Sequence, residues 1–116
     1  MIAGLPVKPL TLFVNKAPVE SDRHGSLTWG AAQAGVAAGV ALAVREGLIP
    51  AEEADDLLII AAVWVNPAAQ DEELVFQNNR DSTLGAIRAA VAGQPTVAAV
   101  VAAADDPRNP YFRAGR

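Results

Sequence analysis

The chain has no cysteine and one histidine, His24, among its 116 residues. The first absence excludes disulfides, thiolate nucleophiles and Cys-ligated metals. The second leaves no histidine cluster for a zinc centre. Cations are in the minority, with nine Lys and Arg against thirteen Asp and Glu and a formal net charge of -4. A nucleic-acid surface needs clustered Lys and Arg. The one local basic excess, Arg108, Arg113 and Arg116, falls at the C-terminus and reads as a solvated end. Phosphate-cradling glycine loops and a G-x-S-x-G nucleophile elbow are missing. The uncharged run from Leu27 to Val44 is Gly- and Ala-rich and carries Gln33. It falls short of the roughly 20 strongly apolar residues that a bilayer span requires. Residues 1–9 hold two prolines and a lysine, unlike a secretory leader. The composition therefore points to a cytoplasmic protein with no nucleic-acid, membrane or metal partner.

What is present is apolar, at 52% of residues, but much of it is alanine. One domain is expected over residues 1–104, followed by a C-terminal tail over 105–116. A core this thin, in a chain this short, makes a homo-oligomer the natural way to bury more surface. Leu10 to Lys16 alternates with β-favouring residues and reads as a strand, closed by Pro18. Val19 to Gly25 is polar and reads as a loop. Ser26 or Thr28 then caps a long helix ending near Glu46, with Gly47 just beyond its end. Ala31, Gly35, Gly39 and Ala43, each four apart, make a narrow smooth face suited to close backbone approach, by the sheet or by a neighbouring subunit.

Leu48 to Asp56 is an acidic connector in which Pro50 starts a short helical turn. Leu57 to Val65 is a continuous apolar run, expected as a buried central strand and stopped by Asn66-Pro67. A short helix is expected over Pro67–Phe76. A second helix, capped by Asp81 or Ser82, is expected to end at Gly93 and Pro95. Thr96 to Ala103 reads as a last strand. The order strand, helix, strand, helix, strand predicts an α+β two-layer sandwich, with helices on one face of a small sheet. Its second face and edges would be left to a subunit contact.

Few residues offer chemistry. His24 is a weak candidate acid or base, without an identifiable partner acid; in a polar loop the plainer reading is an exposed histidine. Trp29 and Trp64 read as core or interface anchors, with ligand stacking as the alternative. Asn78, Asn79 and Arg80 read as capping groups at a helix break, with ligand binding as the alternative.

The wording is more specific than the patterning. Leu5-Pro6, Lys8-Pro9, Thr11-Leu12 and Asn15-Lys16 are followed by Gly30, Ala32-Gln33, Glu46-Gly47 and Ile49-Pro50. After them come Ala54-Asp55-Asp56-Leu57 and finally Asn79 with Thr83. Over about residues 5–92 this resembles the formaldehyde-activating enzyme family, whose members condense formaldehyde with tetrahydromethanopterin to the methylene adduct and water. The resemblance implies a fold like ribosomal protein S5 domain 2 and assembly into rings, typically pentamers. It matches Lys16 and Gln33 to the family's carrier-binding residues and implies tetrahydromethanopterin as co-substrate, with no covalent cofactor. Pro18 stands where the family has a threonine. The family's proposed catalytic histidine belongs to an N-terminal region with no counterpart here, and His24 does not occupy its position.

Two readings follow. One is a protein of one-carbon metabolism that binds a reduced pterin and formaldehyde through Lys16 and Gln33, with His24 or Asp22 recruited as proton donor. The other is a non-catalytic oligomeric scaffold or small-molecule binder that has kept the fold. On the bland side, Lys16 is a solvated strand-end lysine and Gln33 an ordinary helix former.

Overall fold

In a computed structural model, residues 7–104, 108–109 and 112–113 are described. The fold is α+β. Strand β1 (Leu10–Asn15) leads into a continuous helical segment made of α1 (Asp22–Ser26), a π-helical stretch (Leu27–Ala32) and α2 (Gln33–Arg45). A 3-10 turn (Ala51–Glu53), strand β2 (Leu58–Val63), helix α3 (Glu72–Val91) and helix α4 (Val97–Ala102) follow. Two-residue strands β3 (Arg108–Asn109) and β4 (Phe112–Arg113) pair antiparallel, within what the sequence suggested was a plain tail. The rest of that tail, and most of the extended lead-in, lie outside the described residues.

The main sheet is β1 and β2, parallel and in register from Leu10 opposite Leu58 to Asn15 opposite Val63. An asparagine ends the sheet on each side. Asn15 Oδ1 accepts from the Ala17 amide at 3.0 Å, and Asn66 Oδ1 from the Ala68 amide at 2.9 Å. Each such Asx turn satisfies the amide two residues beyond its asparagine and turns the chain away.

The long helical segment begins at least five residues earlier than expected. Ser21, not Ser26 or Thr28, is the N-cap, its hydroxyl accepting from the His24 amide at 3.0 Å. The far end is as read. Gly47 takes φ +78, its amide bonding Val44 O at 3.0 Å and the Leu48 amide bonding Ala43 O at 2.9 Å. Those two bonds make a Schellman cap, in which a glycine at the left-handed position spares the Cβ penalty. The segment Asp22–Arg45 is long and apolar enough to cross a membrane by length and composition, but half of its most apolar window is buried inside the fold. A helix that packs its apolar face on protein is a core helix.

Three expectations are corrected. The break at Asn78–Arg80 does not exist: α3 is one helix of 20 residues capped by Asp71, whose Oδ1 accepts from the Leu74 amide at 3.1 Å. Asn79 turns its Nδ2 back to Val75 O at 2.8 Å, so its amide bonds its own helix without ending it. Thr96 to Ala103 is not a strand. Thr96 caps α4 with a bond from the Ala99 amide at 3.1 Å, and alanine favours the helix once that cap is in place. Among the described residues the main sheet therefore has two strands, not three. β2 is also not buried on both sides, since Leu58 is 61% and Ile60 64% exposed.

The smooth row on α2 finds its partner inside the chain, and it is α3 rather than the sheet or a neighbour. A Cβ added to Gly35 would lie 2.5 Å from Phe76 O, and one added to Gly39 2.7 Å from both Arg80 O and Thr83 Cβ. The absent side chains are what allow the two helix backbones to meet. Leu27, Ala31, Ala32, Val65 and Val75 form the core, with Phe13, Val63 and Phe76 packed on it. The helices thus cover one face of β1 and β2.

Candidate functional site

Each strand alternates between the two faces of the sheet. On the covered face lie Phe13 and Val63, packed on the core, and Phe13 meets Trp29 at 5.6 Å between ring centroids. The other face carries Leu10, Leu12, Leu58 and Ile60, all more than half exposed. Lys16 and Trp64 continue these two rows just past the strand ends. The Lys16 amide donates to Val63 O at 2.8 Å, the bond a parallel ladder makes when Lys16 stands opposite Trp64. Lys16 is exposed, and Trp64 is 59% exposed.

Gln33 is exposed and opens α2, on the helical layer. Lys16 and Gln33 therefore rise from different layers of the chain. Gln33 directly follows the π-helical stretch. There Thr28 Oγ1 donates to His24 O at 2.8 Å, and the wider turn carries Trp29 and Gly30. Such stretches are frequent beside functional sites.

His24 is not in an exposed loop. It is the third residue of α1, 1% exposed, and both ring nitrogens are engaged. Nδ1 accepts from the Glu20 amide at 3.2 Å, which places the proton on Nε2, and Nε2 donates to Val65 O at 2.7 Å. A buried imidazole with both nitrogens held by backbone has neither a free proton nor access to solvent. Burial was invisible in the sequence because Val65 lies 41 residues away.

Two grooves border these residues. One, of about 970 Å³, runs between Gly30, Ala31 and Ala34 on the long helical segment and Gln70 to Glu73 with Phe76 at the start of α3. Its acidic wall is Asp71, Glu72 and Glu73. The other, of about 430 Å³, lies between β2 and α3, lined by Ile59 to Trp64 on one side and Asn79, Ser82, Thr83, Ala86 and Ile87 on the other. Neither groove was legible in the sequence, because each depends on how α3 lies against another element. Among the described residues no group of three or more His, Asp or Glu is gathered for a metal.

The motif residues that carried the resemblance are brought together. Lys8 pairs with Asp55, joining the lead-in to the acidic connector. Both side chains are well exposed, so the pair contributes little to stability. Asn79 and Thr83 lie on α3 against the Gly35 and Gly39 face.

The family model described as formaldehyde-activating enzyme (Fae) matches residues 1–112. A "5,6,7,8-tetrahydromethanopterin hydro-lyase" of Methanosarcina barkeri is 38% identical over 104 residues, covering 90% of this chain and 58% of the relative. A "Bifunctional enzyme Fae/Hps" of Methanococcoides burtonii is 43% identical over 98 residues, 84% of this chain and 25% of the relative. Its namesake in Archaeoglobus fulgidus is 36% identical over 108 residues, 93% of this chain and 27% of the relative. This chain thus spans little more than half of the first relative's length and about a quarter of the others'. With its pattern matched almost from end to end, the chain belongs to the formaldehyde-activating enzyme family.

Proposed function

We propose that this chain binds a reduced pterin of the tetrahydromethanopterin type together with formaldehyde and joins them into the methylene adduct. Two carbon–nitrogen bonds form in that reaction, and the formaldehyde oxygen leaves as water. The observation that carries the reading is the family match over residues 1–112, in a fold that leaves Lys16 and Gln33 exposed for a ligand. The Methanosarcina barkeri relative is named for the same pterin. Lys16 would supply a positive charge and Gln33 an amide that both donates and accepts. His24 serves this reading as an anchor for the turn that precedes Trp29. The chain's contribution is then chiefly to hold the two reactants together, which removes part of the entropic barrier of a bimolecular step.

The exposed row Leu10, Leu12, Leu58 and Ile60 supports a homo-oligomer in which this face meets another copy, as a ring of five or a smaller assembly. A contact of that kind would bring Lys16 of one copy towards the helical layer of the next. The cytoplasm, where reduced carriers are used, is the proposed location.

Stopped-flow mixing of formaldehyde with tetrahydromethanopterin, with and without the protein, tests the proposal. A rate above the spontaneous one is expected. Equal rates, together with no pterin binding by calorimetry, would remove it.

A further inference from the structure

We infer that Trp64 is the platform on which the pterin ring stacks, at the mouth of the groove between β2 and α3, with Lys16 beside it. This rests on the function proposed above and names the residue that would recognise the flat part of the substrate.

Four observations lead there. Trp64 leaves 59% of its surface to solvent, although an indole is a large apolar group that folding usually covers. It sits directly after β2, opposite Lys16 directly after β1, so both stand at the carboxyl ends of parallel strands. That is the end at which open α/β sheets hold their ligands. Trp64 also lines the groove of about 430 Å³, within the 300–1,000 Å³ usual for small-molecule sites. Finally, among the described residues β2 pairs only with β1, so its outer edge, which faces that groove, keeps its backbone groups unpaired. Amide and carbonyl groups alternate along such an edge. The amino-oxo-pyrimidine side of a pterin likewise alternates donors and acceptors. A ring resting on Trp64 can therefore turn that side toward the strand, while the hydroxyl of Ser82 lines the opposite wall. Trp29, the second tryptophan, is 51% exposed, but its ring already packs against Phe13, on the helix-covered side of the sheet.

The test uses the two tryptophans separately. Trp29→Phe leaves Trp64 as the only indole, and Trp64→Phe leaves Trp29. Titration with tetrahydromethanopterin under anaerobic conditions should quench the emission of the first variant and leave that of the second nearly unchanged. By calorimetry, Trp64→Ala should raise the Kd about tenfold or more, the scale of a lost base-stacking contact. Trp64→Phe, which keeps a flat ring, should recover most of the loss. Melting temperature and sedimentation mass of both variants should match the parent protein. Parent-like affinity in Trp64→Ala overturns the inference while leaving the proposed function standing. So does a loss that comes with a changed mass or melting point and is not rescued by Trp64→Phe. If the parent protein itself binds no pterin, the function falls and this inference with it.

Discussion

His24 Nε2 donates to the carbonyl oxygen of Val65 at 2.7 Å, across 41 residues of sequence. That bond ties the start of the long helical segment to the end of β2, with the Glu20 amide closing the other ring nitrogen at 3.2 Å. His24→Ala would leave Val65 O and the Glu20 amide without these partners and open a void where the ring is 1% exposed. An unpartnered buried group and a cavity each cost about 1–3 kcal/mol, so a loss of about 2–4 kcal/mol is expected. Urea unfolding measures it. A loss under about 0.5 kcal/mol, typical of surface positions, would contradict the anchoring role.

The two helical glycines under α3 should be intolerant of even one methyl group. Gly35→Ala drives a Cβ to 2.5 Å from Phe76 O, and Gly39→Ala drives one to 2.7 Å from Arg80 O. Both obstacles are backbone and cannot rotate away, so the helices must part. Overpacking of this kind costs about 1–3 kcal/mol, more than the roughly 1 kcal/mol that alanine returns in helix propensity. Gly85, in α3, has nothing within 4 Å of a built Cβ, so Gly85→Ala should instead gain up to about 1 kcal/mol. Opposite signs in thermal unfolding are the expected result. A stabilised Gly35→Ala would show that α2 and α3 do not meet as described.

The contrast between these glycines shows what the sequence could convey. Gly47 was legible as a helix end because its signal is local: a left-handed residue placed directly after a helical run. β1 and β2 were legible for the same reason, and so was the smooth row on α2. Its partner was not, because choosing between a sheet, a neighbour and α3 depends on how distant segments dock. Thr96 to Ala103 reads in sequence as a last strand, yet the cap at Thr96 and the alanines beyond it settle the segment as α4. Asn78, Asn79 and Arg80 read in sequence as capping groups at a helix break, but the Asn79 side chain bonds Val75 O within the helix it sits in. Lys16 and Gln33 stand out in the sequence only through the family resemblance. The pairing of Lys16 with Trp64 needed the parallel register.

The open sheet face offers a test of assembly. Leu12 is 54% and Ile60 64% exposed, side by side in register on one face. A charge at either position is already half in water in the isolated chain, so Leu12→Glu and Ile60→Glu should change its own stability by less than about 1 kcal/mol. Buried between two copies, the same charge is costly unless it is paired. Sedimentation equilibrium should find the parent protein as a multimer and each variant shifted toward the 12.0 kDa chain. A parent protein that already sediments as a monomer would remove the oligomer proposal.

Lys16 and Gln33 are exposed, and among the described residues their side chains make no hydrogen bond, so replacing them should act on the ligand and hardly on stability. Lys16→Ala and Gln33→Ala should each weaken pterin binding by about 1–3 kcal/mol, or roughly fivefold to a hundredfold in Kd. Lys16→Gln, which keeps length and loses charge, separates the charge from the reach of the side chain. The two residues stand on different layers of the chain. If each touches a different part of one ligand, the double variant should lose the sum of the single losses within about 0.5 kcal/mol. Calorimetric titration of the four proteins supplies the cycle. Losses confined to one of the two residues would place the carrier on that residue's layer alone. Unchanged affinity in both would leave the shared motif as a feature of the fold and not of the ligand site.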